Sequence, residues 1–193
     1  LNIDNRKMSK SLGNFFTVRE ITEKYDPQVL RFFMLSAHYR SPLNFSAELM
    51  QSSKTSLERI MTAADNLKHL IANAKDDSMT ESETAHYDAT EEYVKKFEEA
   101  MDDDFNTADA IAAIFELVKY LNTHTSAENS KSYLQKCLDR LKTLCDILGL
   151  VADKKEELLD ADIETLIAER QQARKEKNFA RADEIRAELL EKG

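Results

Sequence analysis

The sequence holds few of the residues that make tight turns. Only 3 glycines and 2 prolines occur among its 193 residues. Because these residues form most tight turns, few β-hairpins are expected. Glutamate, lysine, alanine and leucine are abundant instead, and apolar residues recur at three- and four-residue steps. The shortage of turn residues together with this periodicity predicts an all-α fold.

Long apolar runs and cysteines are scarce as well. No stretch approaches the roughly 18 apolar residues that are needed to span a bilayer. The 2 cysteines, Cys137 and Cys145, lie on one predicted helix, at a spacing that separates them by about 12 Å along its axis. That distance is too large for a disulfide or a shared metal ion, and the 4 histidines show no ligand spacing. We therefore expect no metal site in this stretch, and a reducing, cytoplasmic location.

Charge is distributed unevenly along the chain, whose formal net charge is −9. Positions 1–45 hold seven lysines and arginines against four acidic residues, whereas positions 76–109 hold two against thirteen. The acidic total argues against a general nucleic-acid binder. An RNA partner would be accepted by the first segment and excluded from the second.

A cationic string stands near the start of the chain, KMSKS at positions 7–11 followed by LGNF at 12–15. The ammonium groups of Lys7 and Lys10 alternate with two hydroxyls, and Gly13 frees the backbone. Such a mobile, donor-rich loop is suited to a polyphosphate, because lysine serves phosphate as a compact charge on a flexible stem. The alternative is an exposed basic loop that has no ligand.

Two helix starts follow this string. Thr17 and Glu20 form the pattern of a capping box, and Asp26 precedes Pro27 as a cap precedes a first helical residue. The segment 29–35 is apolar nearly all round, which is typical of a buried helix. We expect it to form the packed base from which the loop hangs.

An irregular joint occupies positions 36–46, around Pro42. His38, Tyr39 and Arg40 would contact an RNA backbone through charge and stacking. The alternative is a connector whose aromatic side chains pack and whose Arg40 is solvated.

Positions 46–150 predict an antiparallel bundle of four helices. Apolar residues follow helical spacing in the segments 46–75, 93–101, 111–121 and 134–148. The polar stretch 76–88 lacks a period and predicts a mobile surface linker. Gly149 predicts the end of the last helix.

Three consecutive aspartates at positions 102–104 suggest a divalent-cation site at first sight. Successive helical residues point about 100° apart, however, and rarely converge on one ion. A helix break is the better account. Asn106 would cap the next helix, and Asp109 would lie near its positive N-terminal dipole.

The final segment predicts a charged hinge at positions 153–157 and then two short helices separated near Asn178. Basic side chains recur along this pair, at Arg170, Arg174, Lys175, Lys177, Arg181 and Arg186. A solvated, salt-bridged surface is the common meaning of such a pattern. The alternative is a face for RNA.

Four strings of the sequence resemble one protein family. The string at 7–15 resembles the second signature loop of class I aminoacyl-tRNA synthetases, which closes over ATP during amino-acid activation. The joint at 36–46, the string MDDDFNTA at 101–108 and the string KNFARADEIR at 177–186 resemble cysteinyl-tRNA synthetase, in that family's order. Ala108 is a departure, because the family more often has proline there.

The resemblance implies a C-terminal portion of this family that begins at the signature loop. The implied domains are the end of the catalytic domain (1–16), a small helical stem-contact unit (17–45), a DALR-like bundle near the anticodon (46–150) and the helix pair of an incomplete anticodon-binding domain (151–193). We expect the chain, which begins abruptly within a loop, to be a piece of a longer protein that is inactive when isolated.

The resemblance also implies roles for particular residues. The ATP-binding residues would be Lys7, Met8, Ser9, Lys10 and Ser11. Lys10 would be the catalytic residue, because a cation that reaches the departing pyrophosphate only when the loop closes stabilises the transition state selectively. Gly13 would be the hinge. The residues expected to contact tRNA are Arg40, Arg170, Arg174 and Arg181.

The implied ligands are ATP with magnesium, cysteine and tRNA(Cys), bound by a monomeric enzyme. Zinc for the cysteine thiolate is expected in the longer enzyme, with ligands outside this stretch. Two alternatives remain open from the sequence. One is a ligase that activates cysteine but transfers it to a small amino-sugar. The other is a non-catalytic helical interaction module, which would leave the lysine-serine loop without a purpose.

Overall fold

The structure is a computed structural model that describes residues 2–3, 6–74 and 78–150, and within the final segment residues 169–170, 172–174, 178, 181 and 183–186. The chain divides into two compact units, Leu1–Asp153 and Lys154–Gly193. The hinge predicted at 153–157 lies outside the described residues, as do most positions of the predicted C-terminal helix pair.

Helices make up most of the first unit. Across its described ranges the α-helices are α1 (Val18–Thr22), α2 (Pro27–Leu35), α3 (Ala47–Asn73), α4 (Glu81–Ala89), α5 (Glu91–Asp102), α6 (Thr107–His124) and α7 (Lys131–Ile147). A single turn of 3-10 helix at Lys10–Leu12 precedes them. None of the helices in the part described is long and apolar enough to cross a membrane. The predicted all-α class is confirmed, with one small addition.

That addition is a three-stranded sheet, which the sequence did not predict. Its strands are β1 (Asn2–Ile3), β2 (Arg6–Lys7) and β3 (Asn44–Phe45), in the order β2-β1-β3. β1 pairs with β2 in antiparallel fashion and with β3 in parallel fashion. Strands of two residues carry no readable alternation, so this pairing is invisible in the sequence. The sheet ties the start of the cationic loop to the joint that follows α2.

The predicted helix starts are confirmed. Thr17 and Glu20 form a complete capping box at α1. The Asp26 side chain accepts a hydrogen bond from the backbone N–H of Gln28, with Pro27 as the first residue of α2. The Asn106 side chain caps α6 after the break that follows α5. Each of these caps depends on residues within three positions, which is why the sequence reveals them.

α2 joins the cationic loop to the bundle core. Phe32 and Phe33 are buried, whereas Met34 is about half exposed. The Phe33 ring packs edge-on against Phe45 at a centroid distance of 5.7 Å, and Phe45 lies 4.7 Å from Phe16. This aromatic series connects the base helix, strand β3 and the segment directly after the loop.

The bundle core forms where α3, α6 and α7 meet, with α2 packed on α3 and α5 packed on α6. Its largest fully buried side chains include Met50, Ile60, Phe97, Ile114, Leu117, Leu121, Tyr133, Leu134 and Leu141. Cys137 and Cys145 are buried in the same core as free thiols. Burial raises the pKa of Cys137 to about 11 and that of Cys145 to about 12. Both thiols are therefore protonated, apolar core groups at neutral pH.

The prediction of a linker over 76–88 is wrong for most of that stretch. Helix α4 covers Glu81–Ala89, and Thr80 and Glu83 form a capping box at its start. The helix has almost no apolar face, because Glu83 is its only buried residue. Hydrophobic periodicity therefore gave no signal, and a polar anchor holds the helix instead.

That anchor is the carboxylate of Glu83, a residue that is only 6% exposed. One oxygen accepts hydrogen bonds from the Thr80 N–H (2.9 Å) and the Ser130 hydroxyl (2.9 Å), and the other from the Ser130 N–H (2.8 Å) and the Asn129 amide (3.0 Å). Burial alone would raise the pKa of Glu83, but these hydrogen bonds outweigh it and lower the pKa to about 2. Since Thr80 and Ser130 are the N-caps of α4 and α7, one anion stabilises two helix N-termini.

Gly149 ends α7 in the left-handed region, as predicted, and its N–H donates to the Asp146 carbonyl at 2.9 Å. A Cβ at this position would lie 3.0 Å from Arg31 Nη1. We expect Gly149→Ala to lower the free energy of unfolding by about 1 kcal/mol, since a left-handed conformation is strained for alanine. Urea denaturation followed by circular dichroism measures this.

Gly13→Ala is the matched control for that substitution. Gly13 has a similar φ of +67°, but a Cβ there would meet nothing within 4 Å. The strain at Gly13 falls in a surface loop, so we expect a smaller effect on global unfolding. Equal stability of Gly149→Ala and the unsubstituted chain would contradict the account of this helix end.

The described residues of the second unit are helical at 169–170, 172–174, 181 and 183–186. Ala173 and Ile185 are buried within it. Asn178 lies outside the helical residues, and its side chain accepts a hydrogen bond from the Arg181 N–H at 3.3 Å. This agrees with the predicted separation near Asn178.

Candidate nucleotide-binding loop

The cationic loop runs from β2 to α1 and is closed by the side chain of Asn14. The Asn14 amide donates to the Lys7 carbonyl at 3.2 Å, and its oxygen accepts from the Ser9 N–H at 3.0 Å. One side chain thus satisfies two backbone groups on the opposite side of the loop. The role of Asn14 was not predictable from the sequence, because asparagine in a loop gives no signal of which backbone groups it will reach.

Within this closure, residues Lys10–Leu12 form the 3-10 turn. The Gly13 N–H donates to the Lys10 carbonyl at 3.2 Å, with φ at +67°. The hydroxyls of Ser9 and Ser11 share a hydrogen bond of 3.1 Å. The turn therefore places the Lys10 side chain and both hydroxyls on a short, defined segment, and glycine supplies the backbone conformation that ends it.

Both lysines present their ammonium groups to solvent. Lys10 Nζ lies 5.3 Å from the centroid of the exposed Phe15 ring. No carboxylate in the described ranges forms an ion pair with Lys7 or Lys10. A cation–π contact at an exposed site contributes only about 0.5–1 kcal/mol. The Lys10 cation is consequently held lightly and can move to a polyphosphate.

The two lysines differ in how their backbones are held. Lys7 belongs to strand β2, opposite Asn2 of β1, and its carbonyl is bound by Asn14. Lys10 opens the 3-10 turn between Ser9 and Gly13. The loop thus combines one cation on a paired strand with a second cation on a short turn, and Met8 lies between them, partly buried.

Arg40, which was expected to contact RNA, is engaged within the protein. Its guanidinium forms an ion pair with Asp104, with Nε 3.0 Å from Oδ2. The structure thus brings together the joint at 36–46 and the aspartate turn at 102–104, two strings that lie far apart in the sequence. The expected break after α5 is confirmed. Within this break, Asp104 links the turn to the joint at 36–46 through its ion pair with Arg40.

The other expected RNA-contacting arginines lie in the second unit. Arg174 is exposed, and Arg170 is partly buried. Arg181 forms ion pairs with Glu169 (3.4 Å) and Glu184 (3.3 Å). Their predicted contact with tRNA stays a prediction.

Metal-ligating side chains do not gather in the described parts of the chain. No group of three histidine, cysteine, aspartate or glutamate side chains is placed there to hold an ion. The thiols of Cys137 and Cys145 are protonated and enclosed by the core. These residues do not fit a zinc site for a cysteine thiolate.

Comparisons with known proteins cover most of the chain. Residues 1–55 match the model of the tRNA synthetases class I (C) catalytic domain, residues 96–152 match the DALR domain, and residues 156–193 match the cysteinyl-tRNA ligase anticodon binding domain. The cysteine–tRNA ligase of Lachnospira eligens is 67% identical over all of this chain, and that of Lachnoclostridium phytofermentans is 57% identical. The chain belongs to the cysteinyl-tRNA synthetase family.

This chain spans 41% of the length of the Lachnospira ligase and 42% of the Lachnoclostridium ligase. As a cysteinyl-tRNA synthetase segment it holds three recognisable regions. The catalytic-domain match contains the entire cationic loop, and the DALR match contains α6 and α7. The anticodon-binding match contains Arg170, Arg174 and Arg181.

Proposed function

We propose that the full-length ligase carrying this sequence joins cysteine to ATP as an adenylate and transfers it to the 3′ end of tRNA(Cys). The chain described here would supply the loop that binds the polyphosphate and the helical regions that bind tRNA. The observation that carries this proposal is a loop braced by Asn14 whose two lysines form no ion pair with a carboxylate of the described residues, in a chain that matches cysteine–tRNA ligases over its whole length.

In the activation step the cysteine carboxylate attacks the α-phosphorus of ATP, and the bond from that phosphorus to the β-phosphate oxygen breaks. Negative charge builds on the departing pyrophosphate. A positioned cation that meets this charge lowers the barrier, because it binds the transition state more strongly than the ground state. We assign this role to Lys10, whose cation–π contact with Phe15 is easily exchanged for a charge-assisted bond.

The remaining loop residues would support Lys10. Lys7 would bind the phosphates from the fixed strand β2, and Ser9 and Ser11 would donate hydroxyl hydrogen bonds. Met8 would pack beneath them. Gly13 would be the hinge on which the loop closes, because its left-handed backbone at the end of the 3-10 turn allows a change that other residues resist.

Magnesium would arrive with ATP as part of the substrate. Zinc for the cysteine thiolate would be held by residues of the longer enzyme outside this stretch, since the described residues do not fit a zinc site. We further propose that the enzyme is a cytoplasmic monomer. Its tRNA contacts would include Arg40 in the first unit and Arg170, Arg174 and Arg181 in the second. The anticodon-binding match over residues 156–193 supports the three contacts in the second unit.

Transfer to tRNA is favoured over transfer to a small amino-sugar by two of the matched regions. A small acceptor has no anticodon, whereas residues 156–193 match an anticodon-binding domain and residues 96–152 match the DALR domain. A purely structural helical module would not require the cationic loop. Neither alternative is supported by an observation of its own.

Asn14 is the positioning residue of the loop in this proposal. We expect Asn14→Ala in the full-length ligase to slow cysteine-dependent pyrophosphate exchange about 10-fold, because misplacement of a catalytic group by a small distance is costly. Asn14→Asp is the matched control. It keeps the acceptor for the Ser9 N–H but loses the donor to the Lys7 carbonyl.

The pyrophosphate-exchange rate of Asn14→Asp should fall between that of Asn14→Ala and that of the unsubstituted ligase. A structural role alone would lower stability without changing the response to ATP, so kcat and the KM for ATP are measured beside thermal unfolding. Full activity in Asn14→Ala would show that the loop is positioned by something else.

A further inference from the structure

Three side chains of the joint after α2 converge on the carboxylate of Asp104. The Tyr39 hydroxyl donates to Asp104 Oδ1 at 2.8 Å. Arg40 binds both oxygens, with Nε 3.0 Å from Oδ2 and Nη2 3.3 Å from Oδ1. His38 Nε2 lies 4.0 Å from Oδ2. Such an array of donors around one anion is the arrangement that binds a phosphate group.

The donors are also organised by contacts among themselves. The rings of His38 and Tyr39 stack at 4.8 Å, and the Arg40 guanidinium lies 5.4 Å from the Tyr39 centroid. Arg40 Nε donates to the Tyr39 hydroxyl at 2.9 Å. His38 Nδ1 accepts from the Arg40 N–H at 3.2 Å, so in the neutral ring the proton is on Nε2, which faces Asp104. The array therefore does not depend on Asp104 for its shape.

The array is open to solvent, with 68% of the Arg40 side chain and 43% of the Asp104 side chain exposed. An exposed ion pair is weak and is screened by salt. A backbone phosphate of RNA has the same charge as a carboxylate and two free oxygens that suit a guanidinium. It can therefore take the place of Asp104.

Asp104 is not needed to hold the two segments together. The Thr107 hydroxyl donates to the Leu35 carbonyl at 2.8 Å, directly between α6 and α2. α2 and α6 also pack against each other. Removal of the Asp104 charge should consequently free the array without separating the segments.

We infer that His38, Tyr39 and Arg40 form a site for an RNA backbone phosphate, and that Asp104 fills this site until RNA displaces it. The inference rests on the proposed function in one respect, since the RNA would be the tRNA of the ligase. Asp104 acts as an internal competitor that weakens binding of any RNA lacking other contacts. The site stands where the basic first segment meets the acidic segment 76–109, to which Asp104 belongs.

The test measures binding of a labelled tRNA(Cys) transcript to the full 193-residue chain over a range of salt concentrations. The two test variants are Asp104→Asn and Asp104→Gly, both suited to the left-handed φ of +55° at this position. Asp103→Asn is the matched control. It removes the same charge from the same turn, but the Asp103 carboxylate makes none of these contacts with the array.

We expect both Asp104 variants to bind tRNA about 3- to 10-fold more tightly than Asp103→Asn, with a salt dependence that is steeper by roughly one phosphate contact. Adding Arg40→Ala to Asp104→Asn should abolish the gain. Inorganic phosphate added at constant ionic strength should leave the higher tRNA affinity of the Asp104 variants unchanged. If it removes the gain, the site takes free phosphate and the RNA assignment is wrong.

Equal affinity of the Asp104 variants and Asp103→Asn would overturn this inference and leave the proposed function intact. Weaker binding by the Asp104 variants would show that the contact is only structural, which also overturns it. Absence of tRNA binding by every protein in the series would contradict both this inference and the tRNA contacts of the proposed function.

Discussion

Lys10→Ala should lower cysteine-dependent pyrophosphate exchange by about 100- to 1,000-fold in the full-length ligase, the usual result of removing one group that stabilises transition-state charge. The reason is that Lys10 Nζ is a cation without a carboxylate partner among the described residues, held only by the Phe15 ring. The fall should appear mainly in kcat, because the proposed contact forms as the pyrophosphate departs.

Lys24→Ala is the matched control for this experiment. Lys24 lies in the same basic first segment and is exposed, and its loss changes the net charge by the same amount. Its activity should stay close to that of the unsubstituted enzyme. A change in Lys10→Ala that is confined to the KM for ATP would reduce Lys10 to a binding residue. A change no larger than that of Lys24→Ala would contradict its role.

Glu83→Gln should lower the free energy of unfolding by about 2–4 kcal/mol at neutral pH, because it weakens charge-assisted hydrogen bonds and leaves buried donors without an acceptor. Glu83 accepts from four donors at the N-termini of α4 and α7. Urea denaturation of the 193-residue chain measures the change. Glu20→Gln is the matched control, since Glu20 has the same capping-box role at α1 but is exposed.

The contribution of Glu83 to the free energy of unfolding should also depend on pH. Its folded-state pKa is lowered to about 2, whereas the ordinary value is 4.5. The stability that Glu83 contributes is therefore present above pH 4.5 and is lost as the pH falls from 4.5 towards 2. The difference between Glu83→Gln and the unsubstituted chain should shrink over that range.

A stability change in Glu83→Gln no larger than that in Glu20→Gln would contradict the anchor role of Glu83. A difference that stays constant between pH 7 and pH 3 would mean that the ionised form of Glu83 does not stabilise the fold.

Helix boundaries were predictable from the sequence where the cause is local. Thr17 with Glu20, Asp26 with Pro27, and Asn106 each act within three positions, and the structure confirms all three caps. The class of fold followed from the helical spacing of the apolar residues, which the buried positions of α3, α6 and α7 reproduce.

Features formed by distant residues were not predictable. The pairing of β1 with β3 places Asn2 opposite Asn44. The ion pair of Arg40 with Asp104 links the segment after α2 to the turn between α5 and α6. Helix α4 was missed for a different reason. Its capping-box pattern stands in the sequence, but the helix is anchored by the polar contacts of Glu83 rather than by an apolar face.

In the candidate site, too, the features set by neighbouring residues were predictable and those set by the folded backbone were not. The two lysines and two serines of the loop were identified from the sequence, since their chemistry and spacing are local. The closure of the loop by Asn14 and the contact of Lys10 with Phe15 depend on backbone geometry. The sequence therefore identified the chemical groups of the loop but not the residues that position them.

The most direct test of this account is the identity of the acceptor that receives activated cysteine. The full-length ligase is supplied with cysteine, ATP and total tRNA, or with a small amino-sugar in place of tRNA, with Lys10→Ala run beside it. The account predicts cysteine on tRNA, little or none on the amino-sugar, and loss of charging in the variant without loss of helicity. Activation of cysteine that never reaches tRNA would contradict it.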